Sequence, residues 1–276
     1  MSRSTIELQR VFVAFCAALL VDVSVAQTAV TPRTDEGRPN LSGYWSTGGV
    51  NFGAAVPDQD GVVAMNLPAR DNDIGNFEKD FAVLERSEPN KPLYKPEHWD
   101  LIQDNDWNGL TRDPAFRCMP AGVPRMGPPH KVVQTPAELI FLYESRFNDQ
   151  AAYRIIPTDG REHHPLQVAD TAWLGYSVGH WEDDTLVIET VGFNDQSWLG
   201  WMGYVHTWDM KVTERIHLEG DTLHWVATVE DPMLLEPWTM EPVERVRNPD
   251  PEAFFWGAVP CEERDAEHIV DPNVRG

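Results

Sequence analysis

Trp181-Glu182-Asp183-Asp184-Thr185-Leu186 is nearly copied 37 residues further on as Leu218-Glu219-Gly220-Asp221-Thr222-Leu223, with strand-forming residues on both sides of each. The two segments read as antiparallel hairpins of one β-meander. Successive hairpins tend to close on themselves, and a closed sheet of this size is expected to enclose a pocket. Working outward, residues 131–135 and 138–144 flank a Pro136-Ala137 turn, and 151–157 end at Thr158-Asp159-Gly160. Further strands are predicted at 175–181, 185–193, 210–218, 222–230, 239–247 and 254–259. Short turns and the absence of a long helical pattern favour a mainly β chain, an antiparallel meander closing into a lipocalin-like barrel.

The repeat also suggests a register. If Trp181 opposes Thr185 and Leu218 opposes Thr222, then Ser177, Gly179, Val187 and Glu189 share one face with Glu214, Ile216, His224 and Val226. A slip of one residue exchanges the sets.

Ahead of the strands, residues 28–117 are rich in Pro, Asn, Asp and Gly and weakly periodic, which predicts an extended N-terminal arm across 27–117 and a barrel domain across 118–276. One short helix is expected at 96–103, where Pro96 suits a first turn and Glu97 its dipole. Residues 1–26 have the pattern of a secretory signal: Arg3 and Arg10, an apolar run over 11–20, and the small-residue site Ser24-Val25-Ala26. That run is about half the ~20 residues a spanning helix needs, so the expectation is a periplasmic or secreted protein without a stable membrane anchor.

Loss of the signal removes Cys16 and leaves Cys118 and Cys261, read by default as one disulfide in an oxidising compartment. Two free buried thiols are the alternative. The formal net charge of −22, from 44 acidic and 22 basic residues, disfavours nucleic acid and anionic lipid as partners. It suits a solvated surface or an affinity for cations.

Five stretches carry a resemblance: Gly37-Arg38-Pro39-Asn40-Leu41-Ser42-Gly43-Tyr44-Trp45, Cys118-Met119-Pro120-Ala121-Gly122-Val123-Pro124-Arg125, Asp159-Gly160-Arg161 with His164-Pro165, residues 179–186, and Thr213-Glu214-Arg215. Together the chain resembles a broad group of uncharacterised secreted bacterial proteins, over most of the mature length. The resemblance implies secretion and a β-rich body and carries no reaction with it. One departure is visible: the group's hairpin turn carries Gly where this chain has Asp183.

For chemistry, the densest loop is Asp159-Gly160-Arg161-Glu162-His163-His164 at a strand exit. It offers a general acid or base with an orienting carboxylate. His164 is preferred over His163 because Pro165 stiffens the backbone behind it. His206 lies between Trp201 and Trp208 in a Gly- and Trp-rich loop, which reads either as a ligand platform or as a lid packed by its own tryptophans. Glu144, Glu189, Glu214 and Asp231 are the candidate carboxylates. The expectation is therefore His164 and His206 as proton-transfer groups with Asp159 orienting, and Arg161, Glu214, Glu144, Trp201 and Trp208 contacting substrate. The ligand would be a ring-containing small molecule or a glycan.

No His-Glu-x-x-His, zinc-spaced cysteines, P-loop, dinucleotide fingerprint or Gly-x-Ser-x-Gly elbow occurs, so neither a metal nor an organic cofactor is expected. The Asp183-Asp184 turn is too short to cage calcium alone. Three function classes remain: a lyase, isomerase or hydrolase using acid–base groups without a cofactor, a lipocalin-like carrier holding a hydrophobic ligand, and, third, a structural envelope protein whose acidic arm meets other surface components.

Overall fold

Asp183 and Gly220 occupy equivalent corners, with φ of 50° and 61°. Each opens a two-residue turn, so Glu182 faces Thr185 and Glu219 faces Thr222. This corrects the expected register by one residue: Trp181 opposes Leu186 and Leu218 opposes Leu223. Ser177, Gly179, Glu214 and Ile216 do share a face, but their companions are Leu186, Ile188, Leu223 and Trp225. Val187, Glu189, His224 and Val226 lie on the other face. The two-residue turn is favoured because its backbone twist matches that of the strands it joins.

The computed structural model describes residues 30–47, 56–57, 63–64, 90–144, 151–200, 203–250 and 253. Nine strands form its main sheet: β1 (Gly43–Thr47), β2 (Lys131–Gln134), β3 (Glu138–Tyr143), β4 (Ala152–Pro157), β5 (Tyr176–Glu182), β6 (Thr185–Val191), β7 (Lys211–Glu219), β8 (Thr222–Glu230) and β9 (Val243–Arg247). Their order is β4-β3-β2-β1-β9-β8-β7-β6-β5, a meander wrapped into a nearly closed barrel. A short strand, Trp238–Thr239, adds to β8. The signal-like segment and the expected strand at 254–259 lie outside the described residues.

β1 comes from the stretch expected to be an arm, yet it sits inside the sheet between β2 and β9. The expected boundary at residue 118 therefore does not separate the barrel from what precedes it. Pairing of β1 with β9 is reinforced by Arg247, whose guanidinium stacks 4.4 Å from the Trp45 ring and donates to the carbonyls of Ser42 and Asn40. Residues just before β1 cross the first hairpin turn: Arg33 grips Asp184 at 2.6 and 2.8 Å, and Arg38 donates to the Asp183 carbonyl. Both contacts are exposed and contribute little individually.

Strand number has a topological consequence. All eight ladders joining the nine strands are antiparallel. Directions alternate along the row, so its two ends, β4 and β5, run the same way. A hairpin cannot join parallel neighbours; a crossover must. Residues 158–175 make that crossover, and the barrel closes along a β4–β5 seam of side-chain packing and isolated bonds. Gly160 donates to the Gly179 carbonyl at 3.0 Å. A Cβ on Gly179 would stand 3.3 Å from Ile156 Cγ2, so the missing side chain lets the edges meet closely.

Inside, large side chains fill the barrel: Phe141, Leu139, Ile156, Leu186, Ile188, Ile216, Leu223 and Trp225 are fully buried. Burying one such side chain contributes roughly 1.5–3 kcal/mol, which gives the barrel its main driving force. Among the described residues, helical structure is confined to short pieces, α1 (Trp99–Trp107), α2 (Gly109–Arg112) and α3 (Pro165–Ala169), with 3₁₀ turns at Pro96–His98 and Pro114–Arg117. Pro96 starts the first of these, as its fixed φ favours. Among the described residues, no helix is long and apolar enough to cross a membrane.

Candidate functional site

The crossover imposed by the seam creates a cavity of about 280 Å³ on the outer face of the barrel. Gly160, Arg161, Glu162 and His163 form its roof, and Val178, Gly179, His180 and Glu189 its floor. Val178 and Glu189 are direct cross-strand partners on β5 and β6, with His180 two residues along β5 on the same face. Every polar group the cavity uses is therefore placed either by β-sheet register or by a turn with positive φ at Gly160.

His163 is the distinctive group. Both of its ring nitrogens are out of contact with solvent and lack a hydrogen-bond partner among the described residues. Burial lowers its pKa; the Glu189 carboxylate opposes that shift and the Lys211 ammonium adds to it. The imidazole is thus neutral near pH 7, with one nitrogen free to accept a proton. A buried polar side chain without a partner is costly, and such groups concentrate where a ligand supplies the missing bonds.

Around it the charges are tethered. Glu189 is paired with Lys211 at 3.2 Å, and Lys211 also approaches Glu230 at 3.9 Å. On the roof, Arg161 Nε and Nη2 donate to the Asp159 carboxylate at 2.9 and 2.7 Å. These hydrogen bonds hold the Asp159 pKa at about 2. Asp159 therefore orients Arg161, where an orienting role toward a histidine was expected. His180 lies 3.3 Å from Glu182, which accepts from Arg215 at 2.7 Å.

The other expected residues are dispersed. His164 is exposed and caps α3, its Nδ1 accepting from Leu166 N–H at 3.2 Å. His206, only 3% exposed, is packed edge-on to Phe193. Its Nδ1 lies 2.8 Å from the Thr207 carbonyl and its Nε2 2.9 Å from Ser197 Oγ. A carbonyl only accepts, so Nδ1 carries the proton and Nε2 accepts from the serine. Burial lowers the pKa of this ring, with the Thr207 hydrogen bond acting against the shift. Trp208 is 64% exposed, and Trp201 lies outside the described residues.

Glu144 directly follows β3 and its N–H donates to His130 Nδ1 at 3.1 Å. Asp231 caps a turn through Thr207 and Met233. Glu214 is inside the barrel, ion-paired with Arg154, and lines no part of the seam cavity.

Of the His163-His164 pair it is His163 that lines the cavity, while His164 caps α3, and His180, not among the expected residues, lies on the cavity floor. Strand alternation held the missing signal: once Gly179 is set inward, Val178 and His180 must face outward beneath the loop. No family model, curated protein or solved structure matches the chain.

Proposed function

We propose that the protein is an exported acid–base enzyme that takes a small, polar, ring-containing molecule or a sugar unit into the seam cavity, without an organic cofactor. His163 serves as the general base, Glu189 sets the polarity of the opposite wall, and Arg161, fixed by Asp159, fastens an electron-rich group of the ligand. A single observation carries this reading: an imidazole with two unsatisfied, solvent-shielded nitrogens on the wall of a cavity. Proton abstraction followed by return at a neighbouring atom fits an isomerase or lyase, and activation of water fits a hydrolase. Cleavage of residues 1–26 and a Cys118–Cys261 disulfide belong to the same reading; Cys261 lies outside the described residues.

A carrier of hydrophobic ligands is less well supported, because the barrel axis, where such a ligand would lie, is occupied by Trp225 and the Arg154–Glu214 pair. The experiment is a thermal-shift screen of monosaccharides, small aromatic compounds and terpenoids, with turnover measured for each stabilising compound in the wild type and in His163→Gln. Turnover that the variant loses while binding persists supports the proposal. Binding without turnover in the wild type identifies a carrier, and unchanged turnover in His163→Gln removes the histidine from the chemistry.

A further inference from the structure

On the outer face of the barrel, His217, His224 and Glu244 form one row across β7, β8 and β9: His217 opposes His224, and His224 opposes Glu244. Glu219, two residues beyond His217 on the same face of β7, reaches back over both rings. The imidazoles are stacked, with centroids 4.6 Å apart and planes inclined by 6°. Each Nε2 lies 3.8 Å from a different oxygen of the Glu219 carboxylate.

Stacking and ion-pair approaches set how these groups point. His224 Nδ1 lies 3.2 Å from Glu244 Oε1, an ion-pair approach that favours the proton on Nδ1, because a carboxylate only accepts. In the neutral ring the lone pair is then on Nε2, which is shielded from solvent and has no hydrogen-bond partner among the described residues. It is directed at a carboxylate, another acceptor. Two acceptors converging without a donor between them repel, and the stacked His217 ring brings its Nε2 to the same carboxylate. A cation at the centre turns that repulsion into bonds and takes His217 Nε2 as a third donor.

We infer that His217 Nε2, His224 Nε2 and Glu219 bind a divalent transition-metal ion of the zinc class, with Glu244 as the carboxylate that orients His224. The three donor atoms already lie within 4.8 Å of one another. Tetrahedral coordination at about 2.0–2.1 Å places donors roughly 3.4 Å apart, so closure takes movements of about an ångström. Glu219, largely exposed at the end of its strand, is free to make them. Two imidazoles with one carboxylate select zinc, copper or nickel over calcium and magnesium, which take oxygen ligands.

A carboxylate beside the second ring nitrogen, as Glu244 is beside His224 Nδ1, is the usual outer-shell support for a ligating histidine. Three protein ligands leave one position for water or for a donor from another molecule. Because the ligands come from two adjacent strands and the support from a third, the ion ties β7, β8 and β9 together beside the β1–β9 pairing. The strongly acidic chain further concentrates cations at this surface.

The test uses the full mature chain, dialysed against a chelator and titrated with Zn²⁺ at neutral pH by calorimetry, alongside thermal melts and Co²⁺ absorption spectra. One tight equivalent, a raised melting temperature and a four-coordinate Co²⁺ spectrum are expected. His217→Ala and His224→Ala should abolish that equivalent, and Glu244→Gln should weaken it about 10–100-fold. All four side chains are on the outer face, and circular dichroism checks that the variants fold. His163→Gln, in the seam, should keep the equivalent. The inference is overturned if no saturable equivalent binds, if binding survives both histidine variants, or if Ca²⁺ competes at equal concentration.

Discussion

Arg154 Nη2 lies 2.5 Å from Glu214 Oε2 inside the barrel, where the two side chains are only 3% and 1% exposed. Around this pair Arg154 also donates to Tyr143, Ser177 and Thr190, while Trp225 Nε1 donates to Glu214. The ligands of the guanidinium come from β3, β5, β6 and β7, so one side chain on β4 links both sides of the seam. Burial alone would lower the Arg154 pKa, but the Glu214 carboxylate and Tyr143 more than offset it and hold the group charged. Burial likewise pushes the Tyr143 hydroxyl up to about 12.

Removing one member leaves the other charge buried without its counter-ion. Glu214→Gln should cost about 3–5 kcal/mol in denaturant unfolding, whereas Arg154→Met with Glu214→Leu should recover most of that loss. A substrate-positioning role for Glu214 would give the opposite pattern, with a raised KM and little change in stability. A cost below about 1 kcal/mol for Glu214→Gln would refute the structural role.

His206 provides a pH signature. Its folded-state pKa lies below the ordinary value near 6.5, chiefly through burial. At high pH both folded and unfolded states hold the neutral ring. As pH falls below about 6.5 the unfolded chain takes up the proton first, so stability declines until the folded-state pKa is passed. His163 and His217 shift the same way and add to the slope. The expected result is a midpoint in urea that falls between pH 7 and 5, and a shallower fall in His206→Asn. An equal slope in the variant would remove His206 as a source.

How much of this was legible beforehand depends on what kind of residue carried it. The hairpins at Asp183 and Gly220 were readable because turns and β-branched runs are local signals. Seven of the strand segments that follow residue 130 match the ladders closely, and β9 falls within its expected span. β1 carries no strand signal of its own, because its five residues are too short for periodicity and its pairing with β9 spans some two hundred positions. Long-range pairing leaves no local trace.

Within the Cys118–Arg125 motif, two residues hold structure. Gly122 has φ of 91°, and a Cβ there would meet Ser197 Cβ at 2.6 Å. Arg125 pairs with the buried Asp113 at 2.7 Å. The site was harder to see because the cavity exists only through strand parity, a property of the whole sheet. The local stiffening argument that favoured His164 instead marked a helix cap.

Asp183 gives a third prediction. Its φ of 50° lies in the left-handed region, at the corner where Gly220 occupies the matching turn. Asp tolerates that region better than most residues but still carries a steric penalty that glycine lacks. Arg38 contacts only the backbone carbonyl of Asp183, so that bond survives truncation of the side chain. Asp183→Gly should therefore stabilise the protein by about 0.5–1 kcal/mol, seen as a rise of a few degrees in melting temperature. The gain is partly offset by the added entropy of glycine in the unfolded chain. A loss of stability would mean that the aspartate side chain holds the turn.

The parity seam itself is testable by hydrogen exchange. A strand paired on one side only has alternate amides without a ladder partner, and β4 and β5 are both in that position along their shared edge. Gly160 N–H is bonded across to Gly179 at one end of the seam, and Arg154 bridges it through Ser177. Neither supplies the continuous pairing found between β7 and β8, where nine residue pairs are in register. Openings of the seam need break only side-chain packing and these few bonds, while openings of the β7–β8 hairpin must break a full ladder and expose Trp225 and Ile216. Amides of β4 and β5 that face the seam should thus exchange through low-energy local openings, and those of β7 and β8 only through global unfolding. Because His163 hangs from the crossover over this edge, a ligand in the cavity should slow exchange at the seam more than at β7 or β8. Uniform protection around the barrel would show that β4 and β5 are joined by more than the contacts described, and would place the flexibility needed for ligand entry elsewhere.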